Sequence, residues 1–179
     1  HGGSQTPPFE TAAKGTTNLQ WALQYAESGS VLSIGEGVFA ITGQPAVVRW
    51  GVRVEGVRPV DSIVERRGTA LIRLFMLMHS NAVLRNVTLR NGFYQVGGLA
   101  RGGAVMMDGG LVENCVLTNN IAWGLPNQSG LGGAVYMMGG TVRNCLIAFN
   151  RASSSNQVSG GGGIYMLGGL VENCTIVSN

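Results

Sequence analysis

The chain has 179 residues, enough for one domain with a sizeable core, and its 45% hydrophobic and 12% charged content excludes intrinsic disorder. Eleven Arg and one Lys against nine acids leave a formal charge of +3. The Arg are scattered from Arg49 to Arg151, with only Arg66 and Arg67 adjacent, which excludes the basic stripe a nucleic-acid partner needs, and no apolar run is long enough for a transmembrane helix.

The chain begins at His1, which fits loss of a signal peptide or an added residue. With Gly-, Ser- and Thr-rich turns, this points to an extracellular or cell-surface protein. Asn18 to Glu27 carries apolar residues at Leu19, Ala22, Leu23 and Ala26, the spacing of one helix face. Thr17 is the expected N-cap and Gly29 follows the end, so a short amphipathic helix is expected to close the first coil. Five short apolar stretches come next: Val31–Ile34, Val52–Gly56, Ser62–Glu65, Leu71–Leu74 and Ala82–Leu84. They read as strands of two or three irregular coils.

From Gly102 the sequence repeats. GGAVMMDGGLVENCVLTNN starts at Gly102, GGAVYMMGGTVRNCLIAFN at Gly132 and GGGIYMLGGLVENCTIVSN at Gly161, with offsets of 30 and 29 residues. A period of this size means stacked units. Within each unit three short stretches (Ala104–Met107, Leu111–Glu113 and Cys115–Leu117 in the first) are separated by a Gly pair and an Asn. They are too short for helices. The expectation is an all-β, right-handed parallel β-helix of about five or six coils in one domain. Residues 1–30 form its cap, 31–101 the irregular coils and 102–179 the regular repeats.

Repeat positions become columns along such a solenoid, about 4.8 Å apart per coil. Val112, Val142 and Val171 point inward, as do Leu117, Ile147 and Ile176. Asn114, Asn144 and Asn173 mark a bend, because Asn tolerates the left-handed conformation of a sharp corner. Cys115, Cys145 and Cys174 then point inward. The residue before the Asn reads Arg85, Glu113, Arg143, Glu172 through four coils, and alternating charge is favourable at strand spacing.

The motif Gly-Gly-Ala/Gly-x-Tyr followed by Asn-Cys-x-Ile-x-x-Asn resembles the repeats of bacterial right-handed parallel β-helix proteins of the pectin-lyase-like superfamily. It is most similar to secreted and surface proteins related to the polymorphic outer-membrane proteins. Asn18-Leu19-Gln20-x-Ala22 through Gly35-Glu36-Gly37-Val38-Phe39 resembles the capping helix and first strand of such proteins. Gly51 to Gly56 and Leu84 to Gly92 resemble the coils that follow. The resemblance covers almost the whole chain and implies the fold, whereas the same coils carry lyases, hydrolases, adhesins and stalks. One departure is that Leu117, Ile147 and Ile176 stand where the family repeat often has Phe.

The residues offer little chemistry. Relatives that cleave polysaccharides use clustered acids, often with calcium, plus an Arg or Lys base, or else paired carboxylates. Here the only aspartates are Asp61 and Asp108, and the glutamates are dispersed. Glu113 and Glu172 lie two coils apart, at the edge of the inverting-glycosidase range, but Arg143 falls between them. The three Cys form no C-x-x-C, and their stacking favours a buried reduced ladder over a metal or redox site. His1 and His79 are too distant in sequence to read as a copper pair. No catalytic residue, metal or cofactor is therefore expected.

Binding is expected where the units differ. The connections Phe93 to Arg101, Ile121 to Leu131 and Arg151 to Gly160 leave the coil at equivalent places, and loops on a rigid scaffold usually carry binding. Phe93, Tyr94 and Trp123 are candidate contacts in these loops, and Tyr136 and Tyr165 form a candidate sugar-stacking column on the sheet. The expected function is a non-enzymatic secreted or surface scaffold, an adhesin or stalk that binds glycan or another surface protein. The alternative is a polysaccharide lyase or glycoside hydrolase. The sequence stops at Asn179 within a repeat, so the chain is expected either to be part of a longer protein or to self-associate end to end through an open coil.

Overall fold

The computed structural model describes residues 18–179. The chain winds into a parallel β-solenoid of about five turns. Three parallel sheets run along it. The first stacks Val31–Ile34, Arg53–Gly56, Val83–Arg85, Leu111–Glu113, Thr141–Arg143 and Leu170–Glu172. The second stacks Gly37–Ile41, Ser62–Arg66, Thr88–Arg90, Val116–Thr118, Leu146–Ala148 and Thr175–Val177. The third stacks Ala46–Val48, Phe75–Leu77, Val105–Met107, Val135–Met137 and Ile164–Met166.

The expected register holds in the repeats. Val112 pairs with Val142 and Val142 with Val171, while Leu117 pairs with Ile147 and Ile147 with Ile176. Val112, Val142, Leu117 and Ile147 line a continuous core with Leu84, Leu89, Phe75, Leu77, Met107 and Met137, all fully buried; Val171 packs against it, and Ile176, expected to point inward, is half-exposed in the last coil. Each strand is only three to five residues long in these sheets, so stability comes from the inter-coil hydrogen bonds and the apolar column rather than from any single strand.

Corners are made by residues with positive φ. Asn86, Asn114, Asn144 and Asn173 have φ between 50° and 59° and turn the chain from the first sheet to the second. Gly110, Gly140 and Gly169 turn it from the third sheet to the first at φ 85° to 100°. A Cβ on Gly140 would sit 2.5 Å from the Gly110 carbonyl oxygen, so this glycine is required by space as well as by φ.

Three local expectations change. The helix is shorter, Leu19–Gln24, and Asn18 caps it by accepting from the Trp21 N–H at 2.9 Å. Thr17, the expected cap, lies outside the described residues. The strand expected at Leu71–Leu74 forms instead at Phe75–Leu77, because Phe75 pairs with Val105, the first strand residue of the regular repeat. The third strand of each repeat starts one residue late, at Val116, because Cys115 lies in the corner.

Two polar columns cross the core. The three Cys are unpaired, and each thiol lies 3.1–3.2 Å from the carbonyl two residues earlier, that of Glu113, Arg143 and Glu172. The second column is Asn120, Asn150 and Asn179, and the first two are buried. Asn150 Nδ2 donates to the carbonyls of Leu117 and Ala148, and its Oδ1 accepts from the Asn120 backbone N–H and Nδ2 at 3.0 and 2.9 Å. Asn179 repeats the pattern one coil on. In the preceding coil Gly92 takes this position and its N–H donates to Asn120 Oδ1. Asn recurs here in all three repeats, which is the signal in the sequence. A buried amide satisfies the backbone at a corner that water cannot reach.

Candidate functional site

The three variable connections hydrogen-bond to one another and form a sheet of their own. Phe93–Val96, Ile121–Gly124 and Arg151–Ser154 stack in parallel, and Ala100–Arg101 pairs with Gly130–Leu131, which bridges to Gly160. The result is a flange on one edge of the solenoid. Gly103 and Gly133 position it. A Cβ on Gly133 would lie 2.5 Å from the Arg151 nitrogen and 2.0 Å from the Gly162 carbonyl oxygen, so the coil passes directly against the base of the flange strand. The tips carry their own ladder. Asn156 Nδ2 donates to Asn127 Oδ1 at 3.0 Å, and Ser129 Oγ donates to the Val158 carbonyl.

Strand alternation divides the flange into two faces. Phe93, Ile121 and Arg151 are in register, as are Gln95, Trp123 and Ser153, and these six lie on one partly exposed face. Arg66 lies 6.0 Å from the Phe93 ring centroid and Arg151 lies 5.4 Å from that of Trp123. Tyr94, Ala122 and Ala152 occupy the other face, and Ala122 there is fully buried. Tyr94 packs on Arg73, whose guanidinium is 3.7 Å from the ring and contacts the Met106 sulfur. Arg73 is 4% exposed, and burial pulls its guanidinium below the usual range. Met106 pairs with Tyr136, which pairs with Tyr165 at 5.6 Å with rings nearly parallel. Arg101 covers Tyr136, which is 3% exposed.

The five aromatic candidates thus fall in three places. Phe93 and Trp123 share the outer face. Tyr94 is turned inward, and Tyr136 and Tyr165 stack on the third sheet, Tyr136 beneath Arg101. Sequence reasoning missed Gln95, Arg151 and Ser153, whose place on the outer face follows only from the loop pairing.

The arginines divide by environment. Among the described residues six form ion pairs with carboxylates: Arg53 and Arg85 with Glu55, Arg58 with Asp61, Arg67 and Arg90 with Glu65, and Arg143 with Glu113. The four at the flange (Arg66, Arg73, Arg101 and Arg151) stand over aromatic rings instead. The charge column extends one residue beyond Arg85, with Glu55 in register with it. Glu113 is held at 2.7 Å by Arg143, which also stands in register between Glu113 and Glu172. His79 sits in a turn, where its Nδ1 accepts from the Asn81 N–H at 3.1 Å, and His1 lies outside the described residues. Among the described residues no three His, Cys, Asp or Glu side chains are grouped to hold a metal ion, and no helix is long and apolar enough to cross a membrane.

Fold and site together define a parallel β-solenoid with a lateral flange that presents aromatic, guanidinium, amide and hydroxyl groups on one face. Comparison with family models, curated proteins and solved structures finds no match to this chain.

Proposed function

We propose that this protein is a non-enzymatic, exported scaffold that binds glycan through the outer face of the flange. The observation that carries the reading is the pairing of the three variable loops into one sheet, which places Phe93 and Trp123 diagonally on a common face beside Gln95, Arg151 and Ser153. Aromatic faces pack on the C–H faces of sugar rings, while amide, hydroxyl and guanidinium groups exchange hydrogen bonds with sugar hydroxyls. A ladder sheet is stiffer than separate loops, so less side-chain and loop entropy is lost on binding. The sequence resemblance to bacterial surface members of the pectin-lyase-like superfamily supports the same reading and suggests a surface setting. Placing Glu113 in an ion pair with Arg143 favours a scaffold over a hydrolase, since that carboxylate is engaged in the charge column.

The test is a glycan array on the full chain, with a reducing-sugar and unsaturated-product assay run alongside. Binding to at least one glycan, reduced tenfold or more by Trp123→Ala without loss of fold, is expected. Product formation from any bound polysaccharide would replace the scaffold by an enzyme, and unchanged binding in Trp123→Ala would remove the flange from the site.

A further inference from the structure

A concave surface lies at the first coil, away from the flange, where the helix Leu19–Gln24 meets the turn Thr42–Pro45. It is an open groove of about 800 Å³, and its lining includes Gln20, Trp21, Gln24, Gln44, Arg49 and Trp50. Its walls are fixed by the fold. Leu19, Ala22 and Leu23 bury the inner side of the helix, and the Asn18 cap sets its first turn. Gln20 Nε2 donates to the carbonyls of Thr42 and Gln44, which ties the turn to the helix. Trp21 packs edge-on against Tyr25 with centroids 5.1 Å apart.

Core packing does not explain Trp50. It is 59% exposed and has φ 61°. A bulky side chain in the left-handed region is an outlier, and such outliers concentrate at functional sites. At the other corners Asn or Gly commonly takes positive φ, and among the described residues Phe149 is the other exposed aromatic that does so. Of these two, Trp50 lies on the rim of a concavity lined by side-chain amides. Gln24 and Gln44 are exposed, and among the described residues the groove lining contains no carboxylate and one guanidinium. A cation is disfavoured by that charge, and a purely apolar ligand would leave the amides unpaired. An indole platform ringed by amides matches a neutral sugar, which has apolar C–H faces and equatorial hydroxyls that both donate and accept.

We propose that this groove is a second binding site, independent of the flange, that takes a neutral saccharide with Trp50 as its stacking platform and Gln24, Gln44 and Arg49 as hydroxyl partners. The three tryptophans of the chain divide between the sites, Trp21 and Trp50 in the groove and Trp123 on the flange. The full chain would be titrated with cello-, manno-, xylo- and maltohexaose, read by calorimetry and tryptophan fluorescence. At least one hexaose should bind, and in a Trp123→Phe background, where only Trp21 and Trp50 report, its binding should still change the tryptophan fluorescence. Trp50→Gly should lose affinity at least tenfold with an unchanged or raised melting temperature, because Gly adopts the positive φ freely. Gln24→Ala, at an exposed position, should weaken binding severalfold with no change in melting temperature. The proposal is overturned if no hexaose binds at millimolar concentration, or if Trp50→Gly melts lower than the parent chain. It is also overturned if Trp123→Phe abolishes binding while Trp50→Gly retains it, since the ligand would then sit on the flange.

Discussion

Two asparagine columns in this chain have different physical roles. Asn114, Asn144 and Asn173 serve through φ: they are exposed and turn a corner. Asn120 and Asn150 serve through their amides, which bond the backbone of successive coils inside the core. Substitution should separate the roles. Asn144→Gly keeps the left-handed corner and should leave stability within about 0.5 kcal/mol, whereas Asn150→Leu strands the Leu117 and Ala148 carbonyls and should cost about 3 kcal/mol. Urea denaturation of both variants measures this, and equal effects would refute the distinction. The column at 114 was legible because Asn is a common corner residue. The one at 120 was legible only as a repeated letter, since nothing local says that a polar side chain turns inward.

The flange is the element whose existence depends on glycine. Gly133 lets the coil touch Arg151 and Gly162 backbone atoms, and no side chain fits between them. Gly133→Val should therefore push the Arg151–Ser154 strand outward, destabilise by about 1–3 kcal/mol as overpacking does, and lower glycan affinity together with a shift in Trp123 emission. Normal emission and binding in this variant would show that the flange is not seated through the glycine. Loop equivalence could be read from the repeat, because equal exits place insertions side by side. That the insertions form strands could not, because Phe93–Val96, Ile121–Gly124 and Arg151–Ser154 share no sequence pattern and each is stabilised only by its neighbours. The same holds for the strand at Phe75–Leu77, where pairing with Val105 overrode the apolar run of Leu71–Leu74.

At the scale of the whole molecule, the ionisable groups set a pH window. Burial works against the Glu65 carboxylate, but hydrogen bonds from Arg67 and Arg90 outweigh it and hold this group below its usual range. Its contribution is present above the unfolded value of about 4.3 and is lost as pH falls through the folded one. The neighbouring Cys115 thiol and burial push the Cys145 thiol up, and burial pushes up Cys174. A raised thiol contributes below the unfolded value of about 8.5, and that stability is lost as pH rises above it. The melting temperature should form a plateau between about pH 5 and pH 8 and fall on both sides. Replacing Cys145 by Ser or Ala should flatten the alkaline limb. An alkaline limb identical to that of the parent chain would show that the thiol column does not set it.

The amino-acid sequence determined the solenoid, because a 30-residue period of Gly pairs, Asn corners and alternating charge fixes coil length, register and inward columns through nearest-neighbour contacts alone. Only the tertiary structure decided what the non-repeating parts do. Which face of the flange carries Trp123, that Tyr136 lies beneath Arg101, and that Trp50 stands over a groove beside a helix all depend on contacts between segments far apart in sequence. No local pattern encodes those contacts, since each is defined by the side chains that the coils bring beside it.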